Sequence, residues 1–373
     1  MTAIPGEFKL LADIPLQHPS YFGESQIIET QPLVIEEDAT ILPRITISQD
    51  KDWANCFSQG IFDASGNHIE SLNDQRSHRK LFFPKSRLED AAGYAEANTK
   101  KLKFMLYGGT LYDHFGDMLV DTCRAYQLLR LYRYSQEKIW FHYAAPRSVR
   151  CLRAPFIQTW LDCLGLGDRF RLIRRPMRTR CLISCPQIYR DLRFISRDYP
   201  AAARVALHPK LRRNLKQVKK EGHRIAYLSR HKLTEGTSRF TQESELVAKL
   251  KAIPEVDIFC PEELGFEEKL SIWLSHSYVV GFPQGCLMLK PFVADAGHNN
   301  VAKQIFLVAG PQSLPSNWLS IEKACDFGDF YLDCDGIEDA FTKDEKAEKF
   351  TRSNSINVTK IARAIQELAA SLR

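Results

Sequence analysis

The segment Phe104–Arg130, FMLYGGTLYDHFGDMLVDTCRAYQLLR, constrains this chain more than any other. The apolar run Phe104 to Tyr107 has strand character. Gly108-Gly109 predicts a turn, and a helical pattern follows from about Asp113 to Leu131. Thr110 or Asp113 is placed to cap that helix by accepting an orphan backbone N–H. Phe115, Leu119, Thr122, Tyr126 and Leu129 recur at helical spacing and are expected to face the core. His114, Asp117, Asp121 and Arg124 share a different face. In open α/β sheets ligands bind outside the carboxyl ends of the strands, where such a strand, glycine turn and helix would put His and Asp. The plainer alternative is a solvated stripe with a surface Asp121–Arg124 pair of small value. Gly116 speaks against it, because a mid-helix glycine costs about 1 kcal/mol relative to alanine and often marks a close approach.

Strand and helix patterns alternate along the rest of the chain. Residues 1–100 read as short strands and turns, with Leu33–Ile35 and Ile45–Ile47 as strands and Asp63–Asn67 as a turn. Beyond Arg130 come a strand at 138–143, a helix near 154–164, and strands at 169–173 and 181–184. The alternation resumes with strand 224–229, helix 241–251, strand 256–260, helix 265–275, strand 277–281, a glycine turn and strand 304–308. A last helix from about Ser355 to Leu372 lines up Ile361, Ile365, Leu368 and Leu372. This predicts an α/β chain with two Rossmann-like domains and an N-terminal β-rich elaboration. The expected boundaries are 1–205 for the N-terminal domain including β-rich 1–100, 206–222 for a linker, 223–350 for the C-terminal domain, and 351–373 for the last helix.

With 44% hydrophobic and 26% charged residues, the composition is that of a soluble globular protein. The N-terminus MTAIPGEFKLL lacks the basic and apolar regions of a signal peptide. The apolar stretch Tyr278–Val293 is broken by Gly281, Pro283, Gly285, Lys290 and Pro291, so it predicts no membrane span. The expected location is cytoplasmic. Ten scattered cysteines, with Cys181 and Cys185 the closest pair, predict reduced apolar side chains and no structural zinc. The net charge of +6 conceals a basic segment: Arg147–Arg224 has twenty Lys or Arg against five Asp or Glu, including an expected basic helix at Lys210–Lys220. A nucleic acid, an anionic membrane surface or a diphosphate-bearing substrate would each suit it, and so would plain solvation. No nucleic-acid-binding module accompanies it, so no nucleic-acid partner is expected.

Further motifs follow in order: Tyr227-Leu228-Ser229-Arg230, Gln242-Glu243, Pro261-Glu262-Glu263-Leu264-Gly265-Phe266-Glu267-Glu268, Val279-Val280-Gly281 and Pro283-Gln284-Gly285. Together with the first segment they resemble the catalytic domain of glycosyltransferase family 61 over about residues 100–310. Some positions depart from the family pattern. Asp117 stands where the family usually has His, and Asp121 where it has Glu. Gln242, Lys269 and Gln284 replace its usual Asn, Gln and His.

The resemblance implies a GT-B fold with two domains facing across a cleft, and a final helix that crosses back to the first domain. It implies an inverting, metal-independent transfer from a nucleotide diphosphate sugar to a saccharide or lipid-linked saccharide, in synthesis of capsule or another bacterial surface polysaccharide. The nucleotide sugar is then a co-substrate, no cofactor is expected, and peripheral contact with the inner membrane face suits the basic segment. Donor-binding candidates are Ser229, Arg230, Glu243, Gly281, Gln284 and Gly285. Arg230 can grip phosphate bidentately, Ser229 can add a donor, Glu243 can accept from ribose or sugar hydroxyls, and the glycines allow close backbone approach. The catalytic candidates are Asp117 as base, His114 as the alternative base, and Asp121 to orient or tune. Asp333-Cys334-Asp335 is the one formal Asp-x-Asp match in the expected C-terminal domain, and it lies late, in what reads as a turn. The changes at 117, 242 and 284 motivate a rival, a nucleotide-sugar-binding relative with weakened catalysis.

Overall fold

The computed structural model describes residues 4–46, 57–72, 100–112, 115–144, 155–294, 301–339 and 349–373. It is a mixed α/β structure with several sheets. The chain divides into two compact units, Gln26–Pro209 and Met1–Ser25 with Lys210–Arg373. Residues 1–25, expected at the front of the N-terminal domain, therefore belong to the unit formed by the C-terminal half. They contribute strands β1 (Lys9–Leu10) and β2 (Tyr21–Phe22).

The Gln26–Pro209 unit is built on a seven-stranded sheet. Its strands are β4 (Val34–Thr46), β5 (Phe57–Phe62), β6 (Lys100–Leu102), β7 (Met105–Tyr112), β8 (Ile139–Ala144), β9 (Phe170–Leu172) and β10 (Met177–Ser184). They run in the order β5-β4-β10-β7-β8-β9, with β6 also on β10. β3 (Gln26–Ile28), β11 (Tyr189–Arg190) and β12 (Phe194–Ser196) form a small second sheet. The strands from β6 to β10 are mutually parallel, while β4 is antiparallel to both β10 and β5.

Gly108 and Gly109 lie inside β7, not in the turn expected of them. The register of β7 against β8 shifts between Tyr107 and Gly109, which marks a bulge. Gly109 has a φ of 99°, and a Cβ on Gly108 would come within 2.4 Å of the Phe141 ring. Two glycines thus let the strand kink over a packed aromatic. Thr110 lies within this strand.

The single helix expected over 113–131 is two, Phe115–Asp121 and Cys123–Tyr132. They part at Thr122, whose hydroxyl donates to the Met118 carbonyl at 2.7 Å and lies 2.6 Å from the Tyr126 hydroxyl. Arg124 is no solvated charge. It is 1% exposed and donates to the carbonyls of Cys185 and Ser71. Part of the basic segment is likewise structural: buried Arg169 donates to the carbonyls of Tyr132, Arg133 and Glu137 and closes the end of the Cys123–Tyr132 helix. The basic helix expected over 210–220 is Pro209–Leu215.

The other unit carries a six-stranded sheet. Its strands are β1, β13 (Ile225–Leu228), β15 (Val256–Phe259), β16 (Tyr278–Gly281), β17 (Lys303–Val308) and β19 (Phe330–Asp333). The order is β1-β19-β17-β16-β13-β15, parallel except for β1. From β13 the chain moves out to β15, then returns past β13 to β16. β14 (Glu235–Phe240), β20 (Ile337–Asp339) and β21 (Lys349–Ser355) form a small sheet, and β18 (Leu314–Pro315) pairs with β2.

The last helix, Val358–Ser371, is capped by Asn357, whose side chain accepts from Lys360 N at 3.0 Å. Its apolar residues Ile361, Ile365 and Leu368 lie in one core with Ile225, Tyr227, Leu246, Leu250, Ile305 and Phe8. This helix was expected to cross to the other domain; its apolar face belongs to the core of its own unit. The eight described cysteines are all unbridged. Among the described residues, no helix is long and apolar enough to cross a membrane.

At the other end of this sheet a charge cluster is buried. Lys290 Nζ pairs with Asp329 Oδ1, which also accepts Gln304 N at 2.8 Å. Glu322 Oε1 accepts Gly328 N at 2.7 Å and Asp329 N at 3.3 Å, while its Oε2 is buried without a partner among the described residues. Burial and the Asp329 charge push Glu322 up to about 7, against the pull of Lys290. The folded chain therefore holds a proton that the unfolded chain releases near the ordinary glutamate range. This favours folding at low pH, and the advantage is lost as pH rises to about 7, a change on the order of 3 kcal/mol. Urea unfolding between pH 5 and 8 should show this fall in the wild type and a flatter profile in Glu322→Gln, with the variant more stable at pH 8. Equal pH dependence in the two proteins would remove Glu322 as its source.

Candidate functional site

An open parallel sheet has its ligand crevice where the strand order reverses, outside the carboxyl ends of the strands. In the sheet of the second unit that point lies between β13 and β16. β13 ends at Leu228 and is followed by Ser229, Arg230 and His231. β16 ends at Gly281 and is followed by Phe282, Pro283, Gln284 and Gly285. Both strands read as four consecutive buried residues, as expected of central strands covered on both faces. All six donor-binding candidates lie around this point.

Glu243 ties the β13 end together. It opens the helix Glu243–Leu250 and is 2% exposed. Its Oε1 accepts from Arg230 N at 2.8 Å, Tyr227 Oη at 3.0 Å and Ser229 Oγ at 3.2 Å. Burial raises its affinity for a proton, and these donors with the Arg230 charge pull it back. Burial, and after it the same carboxylate, push Tyr227 well above the ordinary tyrosine value, so Tyr227 acts as a neutral donor. An oxygen that already accepts three bonds is committed to the protein, which gives Oε1 a positioning role.

Arg230 is half-buried and its guanidinium is also engaged. Nη1 donates to the Pro283 carbonyl at 3.3 Å and Nη2 to the Ser238 carbonyl at 2.9 Å. It therefore joins the loop after β13 to β14 and to the turn after β16. Its Nε is buried without a partner among the described residues. Burial lowers its proton affinity, opposed by Glu243.

Gln284 donates from Nε2 to the carbonyl of Leu228 at 2.9 Å, fastening the turn after β16 to the end of β13. Gly281 makes room for this: a Cβ there would meet Leu228 O at 3.2 Å and Gln284 Nε2 at 3.3 Å. Gly285 begins a short 3-10 turn through Leu289. Glu268 caps the helix Phe266–Ser275 by accepting Gly265 N at 2.7 Å, and Glu263 pairs with Lys232 at the surface. Both are engaged within the protein.

His231 was missed by sequence reasoning. Its Nδ1 is 2.6 Å from Ser229 Oγ, and its backbone N–H donates to the same oxygen at 3.2 Å. The signal available was only a histidine two residues past Ser229, which is weak without the serine's burial.

In the Gln26–Pro209 unit, Asp117 and Asp121 lie in the helix Phe115–Asp121 that follows β7. His114 lies outside the described residues, as does Asp113. The Asp-x-Asp match is engaged otherwise: Asp335 pairs with Lys360 at 2.8 Å, Asp333 Oδ2 lies 3.4 Å from His18 Nε2, and Asp333 Oδ1 accepts Asp335 N at 3.0 Å. Among the described residues no group of three or more His, Cys, Asp or Glu is placed to hold a metal ion.

A family model for glycosyltransferase 61 matches residues 42–297, more than half of the 373-residue chain. The chain belongs to glycosyltransferase family 61. No curated protein matches it as a relative. The matched span takes in the helix with Asp117 and Asp121 and the loops after β13 and β16.

The Glu243 network generates a direct test. Removing the carboxylate orphans three donors, two of them fully buried, so Glu243→Ala should lower stability by about 3–5 kcal/mol. Glu243→Gln keeps an acceptor oxygen and should cost less than half of that. Chemical denaturation of the three proteins measures both, and a loss under 1 kcal/mol in the alanine variant would contradict the arrangement.

Proposed function

We propose that this family 61 glycosyltransferase moves a sugar from a nucleotide diphosphate sugar to a saccharide acceptor, with inversion and without a metal. The observation that carries the reading is the coincidence of the β13–β16 reversal with the loops holding Ser229, Arg230, His231 and Gln284. Polar and basic side chains at a strand-order reversal are what a nucleotide diphosphate requires. The GT-B reading, with each unit a Rossmann-like domain, assigns the donor to the unit of residues 210–373 and the acceptor to that of residues 26–209. The acceptor is a lipid-linked or free saccharide of surface polysaccharide synthesis, and the exposed cations of the Pro209–Leu215 helix and of Lys216, Lys219 and Lys220 suit an anionic membrane face.

On this reading the donor's diphosphate is neutralised by side chains at the crevice, and Arg230 contributes its charge while holding the two loops together. Asp117 takes the proton of the attacking hydroxyl, with His114 the alternative base and Asp121 its tuning partner. The rival reading, a binding protein with weakened catalysis, rests on the family departures at 117, 242 and 284.

A panel of nucleotide diphosphate sugars, assayed for binding and for hydrolysis or transfer, tests the reading. One donor should bind and turn over with chelator present. Asp117→Asn should keep the affinity for that donor and lower turnover by roughly 10²- to 10⁴-fold, the usual contribution of a general base. Binding without turnover would favour the rival, loss of transfer on chelation with recovery in manganese would end the metal-free reading, and full turnover in the variant would move the base elsewhere.

A further inference from the structure

We propose that His231 is a phosphate-contact residue of the donor site, with its imidazole oriented by Ser229 and, through it, by Glu243. The assignment rests on the nucleotide sugar reading above. It begins from the hydrogen-bond capacity of one hydroxyl. Ser229 is fully buried and lies at the end of β13 beside the strand-order reversal. A serine oxygen has one proton to give and two lone pairs. Its proton goes to Glu243 Oε1 at 3.2 Å. One lone pair takes the backbone N–H of His231 at 3.2 Å. The remaining lone pair faces His231 Nδ1 at 2.6 Å, so Nδ1 carries the proton and donates.

This fixes which side of the ring does what. Nδ1 is turned in toward a buried hydroxyl, so Nε2 is on the outward side of a half-exposed ring. Nε2 has no hydrogen-bond partner among the described residues. A neutral ring presents a bare acceptor there, and a protonated ring presents an N–H donor with positive charge. Of the two, the protonated ring is the form that can donate to a phosphate oxygen.

The neighbouring groups leave this role open to His231. Arg230 spends both terminal nitrogens on the carbonyls of Pro283 and Ser238. Lys232 is paired with Glu263 at the surface. Tyr227 gives its proton to Glu243. From the loop after β15, Cys260, Glu262 and Glu263 add only neutral or negative groups. His231 is thus the side chain at the end of β13 with an outward nitrogen uncommitted to the protein, and a nucleoside diphosphate is the anion that belongs at such a reversal.

Calorimetry with a panel of nucleoside diphosphates and the matching nucleosides tests this on the wild type, His231→Gln and His231→Lys. The Gln variant should bind the diphosphate roughly 10- to 100-fold more weakly, the scale of a lost charge-assisted hydrogen bond, with nucleoside affinity unchanged. The Lys variant, which restores a cation, should recover part of the loss. Unchanged diphosphate affinity in the Gln variant overturns the assignment. So does an equal loss for diphosphate and nucleoside, which would mark His231 as a purely structural support. A wild-type chain that binds no nucleoside diphosphate removes the donor reading itself, and this assignment with it.

Discussion

The carboxylate of Glu243 is the interaction on which the rest of the site depends. It starts a helix that is separated from β13 by a whole additional strand, β14, yet it bonds three groups at the end of β13. A buried carboxylate is expensive unless its lone pairs are met, so the loop from Ser229 to His231 has little freedom to be elsewhere. Arg230 and Gln284 then extend the same rigidity sideways. One reaches β14 and Pro283, the other reaches back from the turn after β16 to Leu228. The loops after β13 and β16 are cross-linked by side-chain to backbone bonds.

The sheet explains why these loops meet. β13 lies between β15 and β16, so the segments leaving β13 and β16 emerge side by side at the same edge. Gly281 is the point where this closeness is most demanding, since its missing Cβ is the space in which Gln284 reaches Leu228. Packing on the strands' buried faces and polar bonding at their ends are therefore coupled. A larger residue at 281 would push against both.

Much of this was legible in the sequence. Short apolar runs bounded by breakers marked β13 and β16, because strands covered on both faces are apolar throughout. Ser229, Arg230, Glu243 and Gln284 were singled out as donor-binding, and the structure brings them to one sheet edge. Their partners were not legible, because a carboxylate that accepts from Tyr227 and one that waits for a ligand look the same in one dimension. The same limit applies to Gly108-Gly109, where a glycine pair reads as a turn although a strand bulge over Phe141 uses it. Thr122 interrupts a helical pattern with a hydroxyl that the hydrophobic period does not register. Arg124 and Arg169 looked like surface charge because nothing in their neighbourhood announces the carbonyls they bind across the fold.

The pairing of β1 with β19 has a consequence for the order of events when the chain is made. Phe8 sits in the core of the second sheet, Leu11 N donates to the Asp329 carbonyl, and Lys9 and Leu10 run beside Tyr331 and Phe330. During synthesis these first residues emerge about three hundred positions before the strand they must join. The Gln26–Pro209 unit is contiguous and can close while translation continues, but the other unit waits for the polymerised chain to loop all the way back. Until β1 docks, the outer edge of β19 has no strand beside it and the N-terminal segment stays unpaired, so both are open to pairing with a wrong neighbour.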